Sequence, residues 1–319
     1  VLSIVQLICT LVLTVIYTRL SGRVSRPLTL RPKTFTAQKL RTWRERASAL
    51  IVISILIGLL VTPLLALALR SFTRLEPERG ARQVTNPGLT LDFYKELSIN
   101  RRQSLFFAPP STAIAISLSY AATTVMLSLM LGFPAALAQT RSKGSPISKA
   151  LDPLMMLPLG ASAVTMGLGF ILAFNSPPLN LRASPLLIPL AHTLVALPFV
   201  IRSLVPALRS IKPRLHQAAQ ILGANPLQVF LRVDLPLIAR AVLVAAVFAF
   251  TISLGEFGAT ALIARPEFPT IPIAIYRLIG QPGAMNYGQA LALSTILMVV
   301  CASGMLAIER IRIAEIGEF

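Results

Sequence analysis

Apolar runs of about 20 residues, the length an α-helix needs to cross a hydrocarbon core, recur along nearly the whole chain and decide what it can fold into. After an opening run at Val1–Leu20, further runs lie at Ala49–Leu69, Ser111–Ala138, Ala150–Phe174, Leu186–Leu208, Ile238–Leu262 and Tyr287–Ile308. Lipid offers no water to backbone N–H and C=O groups, so such segments must close their hydrogen bonds internally, as helices. The predicted fold is all-α, a polytopic membrane helix bundle with about seven transmembrane helices. A water-soluble globule is excluded, because 55% of the residues are hydrophobic and only 13% charged, too little polar surface to cover a sphere.

The basic residues read as topology signals. The segment after the first run carries Arg23, Arg26, Arg31, Lys33, Lys39, Arg41, Arg44 and Arg46 against Glu45, which places it in the cytoplasm. Alternation from there puts Arg141, Lys143 and Lys149, then Arg209, Lys212, Arg214 and Arg232, and finally Arg310 and Arg312 on the same side. The stretch from Arg70 to Pro110 falls outside although it is basic, and Glu76, Glu78, Asp92 and Glu96 moderate it. The net charge of +18 therefore implies no nucleic-acid partner, since the cations flank spans and do not interleave with aromatics on one face. Cys9 and Cys301 lie inside apolar runs and predict neither a disulfide framework nor a metal site.

Val1–Leu20 has no basic n-region and no small-residue cleavage site, so it reads as a membrane helix whose upstream sequence is missing, making the chain a fragment. Pro63, Pro134, Pro158 and Pro198 fall at or near membrane depth and predict kinked helices inside a bundle, not isolated in lipid. Ala163 and Gly167 form a small-xxx-small pair suited to close helix packing.

The most informative stretch is the cytoplasmic loop from Lys212 to Pro236, KPRLHQAAQILGANPLQVFLRVDLP. Pro213 opens a helix, Leu215, Ala218, Ala219 and Leu222 make one apolar stripe, and Gly223 offers a left-handed stop. Asn225 and Pro226 then cap a second short helix on which Leu227, Phe230 and Leu231 repeat the apolar face until Pro236 ends it. Two amphipathic helices around a glycine turn need something to bury their stripes, either a soluble partner or the bilayer surface.

This loop resembles the EAA signature of ABC importer permeases, with Ala218, Ala219, Gly223 and Leu235-Pro236 at the family spacing. The flanking AHTLVALPFVIRSLVPAL and SLGEFGATAL are similar to segments of the same superfamily, so that the resemblance covers about residues 111–308. It implies a MetI-like permease half at 49–319, a basic linker at 21–48, and, at 1–20, the last helix of a missing N-terminal half. It further implies that Leu215, Gln217, Ala218, Ala219, Leu222, Gly223, Leu235 and Pro236 dock on a separate ATP-binding subunit. Gln217 stands where the family usually has glutamate; an amide keeps hydrogen bonding but weakens any ion pair there.

Glu256 lies inside an apolar run between Gly255 and Phe257-Gly258. A carboxylate at that depth costs on the order of 3 kcal/mol and should face the bundle interior or water. Two readings stay open: Gly255, Glu256, Phe257 and Gly258 form part of an outer gate, or Glu256 pairs with a neighbouring helix for packing. His192, also within a span, reads more readily as hydrogen-bonded structure than as a ligand or proton relay.

No G-x-x-x-x-G-K-[ST] phosphate loop occurs, so no cofactor is expected on this chain, with ATP and Mg held by the partner subunit. The implied function is the permease subunit of a binding-protein-dependent importer in a bacterial inner membrane, itself not an enzyme. The resemblance implies an extracytoplasmic binding protein as a further partner, and ferric iron or thiamine as solute ahead of molybdate or sulfate. A carrier driven by an ion gradient is the alternative, since kinked helices and one buried acid suit it also. A membrane-embedded enzyme is disfavoured by the scarcity of His and acid residues in the spans.

Overall fold

The computed structural model describes residues 42–74, 88–99, 109–141, 154–177 and 180–313, with single positions between 5 and 16. Most of the expected first helix and of the basic linker lies outside the described residues. Most of the described residues are helical, and β pairing among them is confined to one isolated bridge, Thr73 with Leu89. Among the described residues, helices long and apolar enough to cross a membrane number five, or six if a bent pair counts as one span.

α1 (Trp43–Ser71) starts inside the stretch read as linker, because Thr42 and Glu45 form a reciprocal capping box at its N-terminus. Its only buried residue is Ser71, so Pro63 sits on a peripheral helix, against the expectation that proline-bearing spans lie inside the bundle. α1 is apolar on every side and needs no protein neighbour to satisfy lipid, and it touches the bundle mainly along the last helix. Beyond the end of α1, α2 (Asp92–Glu96) wedges buried Phe93 against Gly288, where any Cβ would come within 2.2 Å of the ring.

α3 (Pro110–Arg141), α6 (Leu187–Ser210) and α9 (Leu235–Gly255) form the centre. α6 is the most enclosed of the long helices, with 61% of its apolar window buried. Val200, Ile201 and Leu204 of α6 pack with Ala136 of α3 and Ile238, Ala245 and Ala249 of α9. Small side chains bring the axes together here, since a Cβ on Gly132 would meet Val200 at 2.6 Å. α11 (Ile271–Ile279) and α12 (Ala284–Ile313) complete the bundle around Ile271, Leu278 and Leu293.

The single span expected at 150–174 is instead two helices, α4 (Leu154–Gly160) and α5 (Ala163–Ala173), bent by 116°. At 1.5 Å per residue neither piece crosses the ~30 Å core alone. The break falls at Gly160-Ala161-Ser162, where glycine weakens the helix and Ser162 adopts an extended backbone (φ −65°, ψ 135°) to start α5. The run expected at 238–262 is likewise divided: α9 ends at Gly255 and α10 (Gly258–Ile263) begins after Glu256-Phe257.

Candidate coupling hairpin and outer gate

The loop from Lys212 to Pro236 forms the expected pair of short helices around Gly223, but its last step differs. Pro213 occupies the first turn of α7 (Pro213–Ile221), where its missing N–H costs nothing. The helix closes in a Schellman motif: Ala224 N–H donates to Ala219 O (3.0 Å) and Gly223 N–H to Gln220 O (2.9 Å). Gly223 takes φ +79°, the left-handed conformation this motif demands. α8 (Pro226–Val229) then starts in a capping box, with Gln228 N–H donating to Asn225 Oδ1 (2.8 Å) and Asn225 N–H to Gln228 Oε1 (3.0 Å).

Pro236 does not end the second arm. A π-helical turn at Phe230–Asp234, in which Leu235 N–H reaches back to Phe230 O, widens the backbone just ahead of the proline ring. That relieves the clash a proline makes with the carbonyl four residues before it, and the helix runs on into α9. Residues Pro226–Gly255 thus form one 30-residue apolar helix.

Leu215 (43% exposed), Leu222 (86%) and Leu227 (64%) face outward, joined by Ile221 (86%). Gln217, Ala218 and Gly223 are also exposed, Ala219 and Leu235 are half-buried, and Pro236 is exposed on the first turn of α9. Phe230, read as part of the outward stripe, turns inward and packs on Phe133 of α3 with ring centroids 5.0 Å apart. Buried Asp234 accepts from His216, which ties α7 to the π turn. The eighteen-residue separation of this pair hid it from pattern reading, although Asp234 is the loop's only acid. Asn225→Ala is expected to cost the hairpin about 0.5–2 kcal/mol by removing one half of the capping box. Hydrogen exchange of the Leu227 and Gln228 amides should quicken while α6 stays protected.

At the other end of α9, Glu256 has an extended backbone (φ −72°, ψ 113°), and its Oε1 accepts from Ala259 N–H at 3.0 Å. The carboxylate therefore caps α10, a local role, and among the described residues no basic side chain stands within ion-pair distance of it. Gly255 and Phe257 are exposed, and Phe257 pairs with Tyr276 of α11 at 5.4 Å. Tyr276 was not marked by the sequence, because aromatic pairing across 19 residues leaves no periodic trace.

α10 is held tightly from one side by α5. A Cβ on Gly167 would lie 2.8 Å from Ala259 O, and one on Gly258 would lie 2.8 Å from Ala163 Cβ. The small-xxx-small pair thus lets the two backbones touch, and the residues it receives are Gly258 and Ala259.

Residues 128–312, which include the hairpin and the divided helix, match the family model described as binding-protein-dependent transport system inner membrane component. The chain belongs to this family, and it is the permease component of an ABC importer. It is 35% identical over 220 residues to the molybdenum transport system permease protein ModB of Mycobacterium tuberculosis, covering 64% of this chain and 81% of that one. It is 30% identical over 199 residues to the putative 2-aminoethylphosphonate transport system permease protein PhnV of Salmonella typhimurium, covering 62% and 74%. Its fold is similar to a subunit of a bacterial ABC transporter that imports the acidic polysaccharide alginate, with a TM-score of 0.59 at 22% identity, over 84% of this chain and 96% of that one.

Proposed function

We propose that this chain carries an oxyanion across a bacterial inner membrane, with the hairpin docked on a separate ATP-binding subunit and the Gly255–Gly258 break forming part of the outer gate. The observation that carries the docking role is the cluster of Leu215, Ile221, Leu222 and Leu227 exposed on a hairpin whose turn is closed by a Schellman motif and whose second arm is capped by Asn225. Each leucine buried by a partner contributes about 1.5–3 kcal/mol to the contact, which is set against the cost of association. In this reading Gln217 lies at the edge of the contact as a hydrogen-bonding amide, and ATP and Mg stay on the partner.

The oxyanion reading rests on two observations. The relatives named above are named for molybdenum and 2-aminoethylphosphonate, not for iron or thiamine. On the face opposite the hairpin, Arg182, Arg265 and Arg277 gather near the end of α10 with Glu267 as the local counter-charge, which favours approach of anions over cations. An extracytoplasmic binding protein would deliver the solute to that face. A second permease half would complete the pathway.

Sealed vesicles carrying this chain, a second permease half and the ATPase, supplied with binding protein and no ion gradient, should accumulate molybdate only with hydrolysable ATP. Accumulation driven by an ion gradient without ATP would overturn the importer mechanism. Uptake of ferric iron or thiamine but not molybdate would overturn the oxyanion reading alone. At the break, Glu256→Gln keeps a capping acceptor and should retain most uptake. Glu256→Ala removes it and should lower uptake several-fold, by about 1 kcal/mol of lost cap, with assembly intact.

A further inference from the structure

His192 is 1% exposed, at the centre of the bundle on α6, and both of its ring nitrogens are engaged. Nδ1 lies 2.8 Å from Ser253 Oγ, and Nε2 lies 2.7 Å from Thr260 Oγ1. Ser253 belongs to the last turn of α9 and Thr260 to α10, so one imidazole spans the break that separates them. The chain of contacts extends further: Ser253 Oγ is 3.2 Å from Thr124 Oγ1 on α3, and Thr260 Oγ1 is 3.1 Å from the carbonyl of Glu256 itself. Thr124 is wholly buried, as is Thr260, while Ser253 is 4% exposed.

A buried polar group left without a partner is costly, so a fully connected set of this kind resists any motion that separates its members. Phe257 O accepts from Ala261 N–H (2.7 Å) at the start of α10, but Glu256 between the two helices has an extended backbone, so the angle of the break depends on what packs around it. Its side toward α5 is set by backbone contact at Gly167 and Gly258, and its side toward α6 is set by the imidazole. We infer that His192 is a positioning residue for transport: by bridging Ser253 and Thr260 it fixes the angle of the α9–α10 break and so holds the outer gate in register with the rest of the bundle. The inference rests on the gate reading given above, and its test separates the two.

The reporter is Phe257→Cys in the assembled transporter, with Cys9 and Cys301 replaced by alanine, labelled from outside with a membrane-impermeant maleimide. With His192 present, labelling should differ between the resting complex and the complex trapped with ATP and vanadate. His192→Phe, which fills the space without hydrogen bonds, should raise the resting labelling rate by about tenfold, the ratio expected when restraint of the order of one buried hydrogen bond is lost. Thr260→Val should give part of that rise, and His192→Gln, whose amide can still donate and accept, should restore the slow rate. If His192→Phe does not assemble, Thr260→Val and Ser253→Ala read the same link from either side of the break. Resting labelling unchanged in Thr260→Val and Ser253→Ala would overturn the inference, whatever their melting temperatures. If the parent shows no difference between resting and trapped states, the gate reading fails. The bridge is then judged by melting: shifts of Ser253→Ala and Thr260→Val that add independently would overturn it, and non-additive shifts that become additive in His192→Phe would uphold it.

Discussion

Gly223→Pro is expected to strip the ATPase from the purified complex. Proline fixes φ near −65° and has no N–H, whereas residue 223 sits at φ +79° and donates to Gln220 O. Neither requirement can be met, so the Schellman turn must be rebuilt and the two arms of the hairpin lose their relative angle. Gly223→Ala isolates the backbone contribution, because nothing lies within 4 Å of the added methyl. A left-handed alanine costs about 1–2 kcal/mol, which predicts roughly tenfold weaker docking if the partner reads the hairpin in this shape. The measurement is recovery of the ATPase on the tagged permease, and undiminished recovery with the proline variant would remove the hairpin as the docking element.

The second large effect lies at the contact of α5 with α10. Gly167→Val would drive a branched side chain into the carbonyl of Ala259, an atom that cannot rotate away, and should abolish folded, detergent-stable protein. Gly167→Ala is expected to cost about 1–3 kcal/mol, the usual range for overpacking. Gly169→Ala, two residues along the same helix with open space at its Cβ, is the neutral control. Gly258→Ala should also destabilise, because its methyl would collide with Ala163 Cβ, but here the neighbour is a side chain. Ala163→Gly in the same chain should therefore restore much of the lost melting temperature. Equal damage from the single and the paired substitution would show that the contact is not what limits stability.

What was legible in the sequence was whatever is local. The spans follow from uninterrupted apolar length, and the hairpin's stops follow from proline, glycine and asparagine at positions where backbone geometry admits little else. Even the tight α5–α10 contact left a trace, the four-residue spacing of Ala163 and Gly167. The rest depends on partners far along the chain. His192 meets residues 61 and 68 positions away, distances over which no periodicity survives. Hydropathy is blind to the 116° bend, since Gly160-Ala161-Ser162 interrupts the helix without interrupting the greasy run. Phe230 was assigned outward because a stripe on an isolated short helix cannot reveal that Phe133 stands opposite. Pro236 was read as a stop because the rule for proline presumes an ordinary α-turn before it, and the widened turn at Phe230–Asp234 removes that premise.

That widened turn has a mechanical consequence. Because it carries the helix past Pro236, the second arm of the hairpin and the span ending at Gly255 are one rod of 30 residues, about 45 Å from end to end. A rod pivoting near its middle by about 10° swings each tip by roughly 4 Å, in opposite directions. A push at Pro226 would thus be passed toward Glu256 along one continuous helix, not across a loop.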